Sequence, residues 1–328
     1  MLNKITHLLT KKNLLKKSET IRFLKMPSKP NKNTFIPVLI FRGKSKTPSF
    51  IAKIFKNPYE QSCFNRIIKN QLKIRSKLNG SSIADSLPKV FLYDFTSSFF
   101  VESFVTGTNL VPIFLRSVKI QSKNFKAIIK LLKEWVIYFH MLTFNGNSKA
   151  SDVDFYFKPD EIESLQEIFK KDYQLIFDYF LKCQNYNFKV PTSYCHGDFN
   201  SYNIKIERDR IKVYDWEDLC EREVPIFDIF HLFTVPVIFN RTSPENYVDS
   251  FKKYIISSSR YKDLFVHFLA EYCYKFCLEW KYVNWYYLVY LLKMCLKERN
   301  ISRRDEKNEE IWCEIAVKYI EMAGGIII

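Results

Sequence analysis

The sequence predicts an α+β protein of two lobes, a small antiparallel β-sheet followed by a mainly helical remainder. Three observations predict it. Short apolar and alternating runs fill the first third of the chain, helical periodicity takes over from residue 107 onward, and the helical part is interrupted by one polar-tipped hairpin around residues 204–214. With 328 residues, of which 47 % are hydrophobic and 17 % aromatic, the chain can bury a substantial core.

Taken in order, residues 1–26 read as a basic arm, a short helix with Leu2, Ile5, Leu8 and Leu9 on one side, broken by Pro27 and Pro30. FIPVLIF (35–41) and SFIAKIF (49–55) read as strands joined by the polar turn RGKSKTP. Residues 59–78 read as a helix, because Phe64, Ile67, Ile68, Leu72 and Ile74 recur at helical spacing and Asn79-Gly80 ends it. KVFLYDF (89–95) and FFVESFV (99–105) form a hairpin across Thr96-Ser97-Ser98. This sheet lobe spans residues 27–106. The helical lobe, 107–328, carries predicted helices at 125–143, 159–182, 247–257, 264–284 and 285–298.

Bulk properties narrow the function classes. The longest apolar stretch, 224–239, contains Asp228, His231 and two prolines, and the next, 285–296, is only twelve residues long, so neither spans a bilayer. The N-terminus lacks an uninterrupted apolar segment with a small-residue cleavage site, and a soluble cytoplasmic protein is expected. The eight cysteines are scattered without CxxC or zinc spacing and read as reduced, buried thiols. Residues 1–56 hold fourteen Lys and Arg against the single acid Glu19. Such an excess reads either as an anion-facing surface or as the mark of AT-rich coding, which the abundance of Lys, Asn, Ile, Phe and Tyr favours. No nucleic-acid module accompanies the charge, so no nucleic-acid partner is expected. Weak contact of the arm with a membrane surface is the one membrane role its charge allows.

The chemistry concentrates in CHGDFNSYNIKIERDRIKVYDWED (195–218). IKI and IKVY flank the polar turn ERDR, and pairing outward from that turn sets Asn203 beside Asp215 at the open end, with Asp198 on the loop feeding in. Two carboxylates and an amide oxygen suit a hard divalent cation such as Mg²⁺, although an isolated Asn/Asp pair at a hairpin mouth serves equally for turn or capping chemistry.

His196-Gly197-Asp198, Asn203 five residues later, and Asp215-Trp216-Glu217 after the hairpin together resemble the aminoglycoside phosphotransferase and choline kinase family, which is related in architecture to protein kinases. PIFDIF (225–230) resembles the segment that follows in that family. The resemblance implies a two-lobed protein-kinase-like fold and an ATP- and Mg²⁺-dependent phosphotransferase that acts on a hydroxyl of a sugar, aminosugar or amino-alcohol. In that reading Asp198 is the catalytic base, Asn203 and Asp215 hold Mg²⁺, and His196 fixes the loop. Glu217 is a further ligand or a support for one, and Asp228 braces the loop. Lys53 binds the α- and β-phosphates, His140 packs near the catalytic loop, and FVESFVTGTNL (100–110) is the hinge. There Glu102 ends the strand, and the backbone of Ser103 to Val105 meets the adenine edge.

Two departures from the pattern are visible. The helix glutamate that pairs with the strand lysine is replaced at its expected place by Gln71, with Glu60 the sole acid between Lys53 and Asp85, and the phosphate loop PSKPNKNT (27–34) has no glycine. They keep a second reading open, a catalytically silent pseudokinase that binds nucleotide or protein. For the acceptor, residues 151–167 carry six acids against one Lys. That pattern suits a cationic acceptor or, equally, a solvated helix start. Trp280, Tyr282, Trp285 and Tyr286 read as core aromatics or as a box for a quaternary amine.

Overall fold

The structure, a computed structural model, describes residues 1–16, 18–27, 35–56, 61–111, 123–149, 157–184, 189–239, 246–300 and 306–323. The predicted phosphate loop beyond Pro27, Glu60 and the acidic stretch 151–156 lie outside the described residues. Two compact units are present, Met1–Thr108 with Lys205–Asp218, and Asn109–Ile204 with Leu219–Ile328.

In the first unit, strands β1 (Ile21–Lys25), β2 (Phe35–Arg42), β3 (Phe50–Phe55), β4 (Val90–Asp94) and β5 (Phe99–Ser103) form one sheet in the order β1-β2-β3-β5-β4. Every neighbouring pair is antiparallel. β-Branched and aromatic residues fill β2, β3 and β5, which suits a pleated sheet covered on both faces. One face packs on helix α1 (Leu2–Lys11), where Ile5, Leu9 and the following Leu15 meet Val38, Ile40, Ala52, Phe99 and Val101. The other face packs on helix α2 (Gln61–Lys77), where Phe64, Ile67 and Ile68 meet Phe55 and Phe100.

Residues 1–26 are therefore not a separate arm. Ile5 and Leu9 are fully buried, Lys25 pairs with Val38 in the β1–β2 ladder, and Glu19 binds Arg42 at 2.8 Å. The reason is the sheet's outer face, which would stay bare without α1; burying a residue the size of Ile or Leu contributes about 1.5–3 kcal/mol. Lysines that read as a cationic arm instead ring the packed helix, and Lys4 pairs with Asp94 at 2.7 Å.

The hairpin of β7 (Ile204–Glu207) and β8 (Arg210–Val213) has Arg208 and Asp209 as its turn, Arg208 with φ +57°. Its residues from Lys205 onward cluster with the first unit rather than with the helical remainder. Close backbone approach explains this. A Cβ on Gly107, which sits at φ +111°, would come within 2.6 Å of the Ile206 carbonyl oxygen, and only glycine permits that contact. Thr106 also donates to Glu207, and Lys212 Nζ donates to the Asp85 carbonyl at 2.8 Å.

Among the described residues of the second unit, helices α3 (Lys123–Leu142), α4 (Pro159–Phe169), α5 (Tyr173–Gln184), α6 (Ile226–Ile238), α7 (Tyr247–Phe251), α8 (Arg260–Phe276), α9 (Val283–Asn300) and α10 (Glu306–Ala323) dominate. All thirteen residues of α6 are buried. Its Phe230 packs edge to face on Phe265 and Tyr287 and tilted on Tyr290, and its Phe233 stacks on Phe265. The helix expected over 264–284 ends earlier, at Cys277 in the left-handed region (φ +52°), and α10 has no counterpart in the sequence reading. Tyr282, Trp285 and Tyr286 are core residues, whereas Trp280 is partly exposed. No described helix is long and apolar enough to cross a membrane.

Candidate active site

In the second unit the motif residues 196–203 form a loop that begins where β6 (Ser193–Cys195) ends. β6 is wholly buried and pairs with β9 (Cys220–Glu223), Cys195 opposite Cys220, so the loop leaves from a fixed point. Gly197 takes φ +77°, which admits glycine without strain. Phe199 is fully buried with its ring stacked on Trp135 of α3, the centroids 5.6 Å apart. Asp228, near the start of α6, accepts from the backbone N–H of His196 at 2.8 Å and of Gly197 at 3.2 Å. It also contacts His140 Nε2 at 3.2 Å, and His140 Nδ1 meets the Tyr272 hydroxyl at 2.6 Å. Asp228 thus ties the loop to α6, and His140 lies buried beside it. His196 Nδ1 accepts from the Asp198 N–H at 3.2 Å, which holds the loop turn.

Asp198 is the most heavily serviced group of this loop. Asn203 Nδ2 donates to its Oδ2 at 2.7 Å, Asn200 Nδ2 to its Oδ1 at 2.8 Å, and His231 Nε2 lies 2.8 Å from Oδ1. His231 in turn meets the Tyr290 hydroxyl at 3.0 Å. Burial works to raise the carboxyl pKa, but the hydrogen bond and charge of His231, then Lys297 and His196, outweigh it and hold Asp198 well below the usual carboxylate range. Its side chain nevertheless keeps 36 % of its surface open, enough for a small hydroxyl to reach it. Asn203 spends its amide nitrogen on Asp198.

In the first unit a second cluster forms around Lys53 on β3. Its ammonium lies 2.7 Å from Asp215 Oδ1, 3.0 Å from Glu217 Oε1 and 3.7 Å from Glu102 Oε1. Burial opposes the charge, but Asp215, Glu217 and Glu102 together hold the lysine protonated well above its ordinary pKa. Glu217 is pushed well up by burial and by Asp215, against the pull of Lys53. Tyr214 is pushed up to about 12, first by burial and then by Asp215. Asp215 adopts φ +69°, a left-handed backbone that costs a non-glycine residue about 1 kcal/mol, and such strain gathers at functional positions. The turn is pinned by Trp216, whose Nε1 donates to the Val213 carbonyl at 3.1 Å, and by Asn70 of α2, which donates to the Glu217 carbonyl at 3.2 Å.

Glu102 stands one residue before the end of β5. It is buried beneath the sheet with its carboxylate toward Lys53, because Lys53 and Glu102 occupy the same face in the β3–β5 register. Ser103 commits its N–H to the Lys89 carbonyl at 2.9 Å, so it is an ordinary ladder residue. The Val105 carbonyl accepts from Lys205 Nζ at 2.7 Å, and Lys205 lies over the Phe104 ring, 4.8 Å from its centroid. Burial lowers the Lys205 pKa.

The donor set suits a divalent cation. Asp215 and Glu217 bring two carboxyl groups together beside one ammonium, and the crowding that pushes the Glu217 pKa up is what a hard cation with oxygen preference would relieve. Sequence reasoning missed His231 and Lys297, the latter donating to the Gly197 carbonyl at 3.0 Å. A signal for His231 was present: Asp228, His231 and Thr234 recur every third residue in an otherwise apolar helix and so share one face.

Neither protein-family models nor curated protein sequences give a match to this chain. Solved structures do. A choline kinase from Cryptosporidium parvum superposes with a TM-score of 0.58 at 14 % identity, covering 99 % of this chain and 98 % of that one. The choline kinase LicA from Streptococcus pneumoniae gives 0.57 at 13 %, covering 97 % and 99 %. An ADP-bound aminoglycoside phosphotransferase gives 0.52 at 12 %, covering 96 % and 97 %. The chain has the protein-kinase-like fold of the aminoglycoside phosphotransferases and choline kinases.

Proposed function

We propose that this protein is a small-molecule kinase that moves the γ-phosphoryl group of ATP to a hydroxyl of a sugar, aminosugar or amino-alcohol. The observation that carries the reading is the state of Asp198, an ionised, accessible carboxylate fixed by three side chains on a loop braced from α6. Choline kinases and aminoglycoside phosphotransferases with this fold act, as their names say, on amine-bearing alcohols, which supports an acceptor of that class.

Asn203 and Asp215, with Glu217 in support, would hold Mg²⁺; when bound, it supplies positive charge at the phosphates. Lys53 contributes its ammonium to the same phosphates. Asp198 orients the acceptor hydroxyl by accepting its hydrogen bond. So acid a carboxylate is a weak base, so it takes the proton late, once the attacking oxygen has begun to bond to phosphorus and has itself become acidic. Little else is asked of the protein, since phosphoryl transfer rests on positioning and charge.

The test is phosphotransfer from Mg-ATP to a panel of sugars, aminosugars and amino-alcohols, with ATP hydrolysis followed in parallel. Wild-type protein should phosphorylate at least one acceptor, and Asp198→Ala should lower turnover by roughly 10²–10⁴-fold with ATP affinity nearly unchanged. Absence of both transfer and slow hydrolysis in the wild type would replace this reading with that of a nucleotide- or protein-binding pseudokinase.

A further inference from the structure

The geometry points to Glu102 on β5, not a residue of helix α2, as the carboxylate that holds Lys53 in place for the phosphates, with Gln71 as its buried carboxamide neighbour. The inference rests on the phosphate-binding role proposed for Lys53. Helix α2 contains no acidic residue at all, so it has no carboxylate to offer. Gln71, where the family resemblance expects the acid, is 3 % exposed and turns its carboxamide to Glu102, which is 3 % exposed as well.

The strand register makes Glu102 a natural substitute. Lys53 pairs with Phe100 and Ile51 with Glu102, so lysine and glutamate stand diagonally on one face of adjacent strands, a separation that two long side chains close. The ammonium has three donors. Asp215 and Glu217 take two at 2.7 and 3.0 Å, while Glu102 Oε1 waits at 3.7 Å, just beyond a hydrogen bond. Glu102 Oε2 and Gln71 Nε2 are buried with no well-formed hydrogen bond among the described residues. A buried carboxylate oxygen without a partner is costly and calls for an explanation.

A movement of the ammonium by less than an ångström would bring Glu102 Oε1 within hydrogen-bond range. Asp215 and Glu217 follow the hairpin and are the carboxylates committed to the cation. Once phosphate and cation draw on them, Glu102 remains as the anion that keeps Lys53 charged and extended. The Phe35 and Phe100 rings, with centroids 4.7 and 5.6 Å from the ammonium, wall the path. The arrangement moves the lysine's counter-charge from a helix to the neighbouring strand of its own sheet, where it cannot shift away with the helix.

The experiment compares wild type with Glu102→Gln, Lys53→Met, their combination, and the exchange Gln71→Glu with Glu102→Gln. Mg-ATP affinity is read by calorimetry and stability by urea unfolding without nucleotide. Glu102→Gln should weaken Mg-ATP binding by about tenfold or more, the scale of a buried charge-assisted hydrogen bond. The exchange, which keeps one carboxylate and one carboxamide in the same contact, should regain most of that loss. Gln71→Glu alone should give no gain, because it sets a second carboxylate against Glu102. Binding within twofold of wild type for Glu102→Gln, or an exchange no better than Glu102→Gln, overturns the inference. If even the wild type binds no Mg-ATP, the kinase reading fails and unfolding decides the pairing. Non-additive losses at positions 53 and 102 would uphold Glu102 as the lysine's partner, and additive ones would remove it.

Discussion

Replacing Asp228 by alanine strips one buried carboxylate from three contacts in the structure. His196 and Gly197 lose the acceptor of their backbone N–H groups, and His140 Nε2 loses its partner while Nδ1 stays tied to Tyr272. Asp228 is 2 % exposed, so water does not readily take its place. Each orphaned buried group costs about 1–3 kcal/mol, and breaking a buried charged network typically costs about 3–5 kcal/mol in total. A loss of about 3–5 kcal/mol is a large share of the roughly 5–15 kcal/mol that holds a typical domain folded. Asp228→Asn keeps one oxygen for the loop and, with the other histidine tautomer, an N–H for His140, so it should cost only about 1–2 kcal/mol. Urea unfolding followed by tryptophan fluorescence and circular dichroism measures both. The pH dependence has a definite sign. Burial would raise the Asp228 pKa, but the hydrogen bonds and charges of His140 and His196 bring it below the usual value. Its contribution is therefore complete above the unfolded pKa of about 3.9 and fades as pH falls through the lower folded value. The difference between wild type and Asp228→Asn should accordingly shrink below about pH 4. An alanine variant within 1 kcal/mol of wild type at neutral pH would refute the bracing role.

Two further outcomes follow from the same reasoning. Asp215→Asn should abolish Mg²⁺-dependent nucleotide binding in calorimetry while leaving the circular dichroism spectrum unchanged; undiminished Mg-ATP affinity would remove Asp215 from the cation site. Ile5→Ala and Leu9→Ala should each cost about 2–5 kcal/mol in urea unfolding, since both side chains are fully buried against the sheet. A loss under half a kcal/mol for both would return α1 to the status of a dispensable arm.

Much of the fold was legible because its signals are local. The runs 35–41, 49–55, 89–95 and 99–105 alternate or stay apolar over strand length, and they became β2, β3, β4 and β5. The motif was legible in part from spacing, since pairing outward from the ERDR turn sets Asn203 and Asp215 at the hairpin mouth with Asp198 on the loop before it, whereas His196 and Glu217 stood out only through the family resemblance. What stayed hidden depends on register between distant strands. Nothing in the sequence says that Lys53 lies opposite Phe100, and only that pairing turns Glu102 toward the lysine rather than toward a ligand. α1 was hidden differently. Its apolar side was visible in Leu2, Ile5, Leu8 and Leu9, but the surrounding lysines drew the reading toward a free arm, whereas long cationic side chains readily fringe a packed helix. His231 escaped because a histidine inside an apolar run is more often core filling, and its partner Asp198 is thirty-three residues away.

The first unit is discontinuous in the chain, Met1–Thr108 completed by Lys205–Asp218. A ribosome therefore releases the whole sheet well before it makes the hairpin that belongs with it. During that interval Glu102 is the one counter-charge of Lys53 among the described residues, since Asp215 and Glu217 do not yet exist. The sheet and its two helices can form from neighbouring segments, but the Gly107–Ile206 approach closes a loop of about a hundred residues, a slow, late contact by the logic of loop entropy. Synthesis of the first unit thus ends only after Asp198 has emerged, so Asp215 and Glu217 are the last members of the Lys53 cluster to arrive.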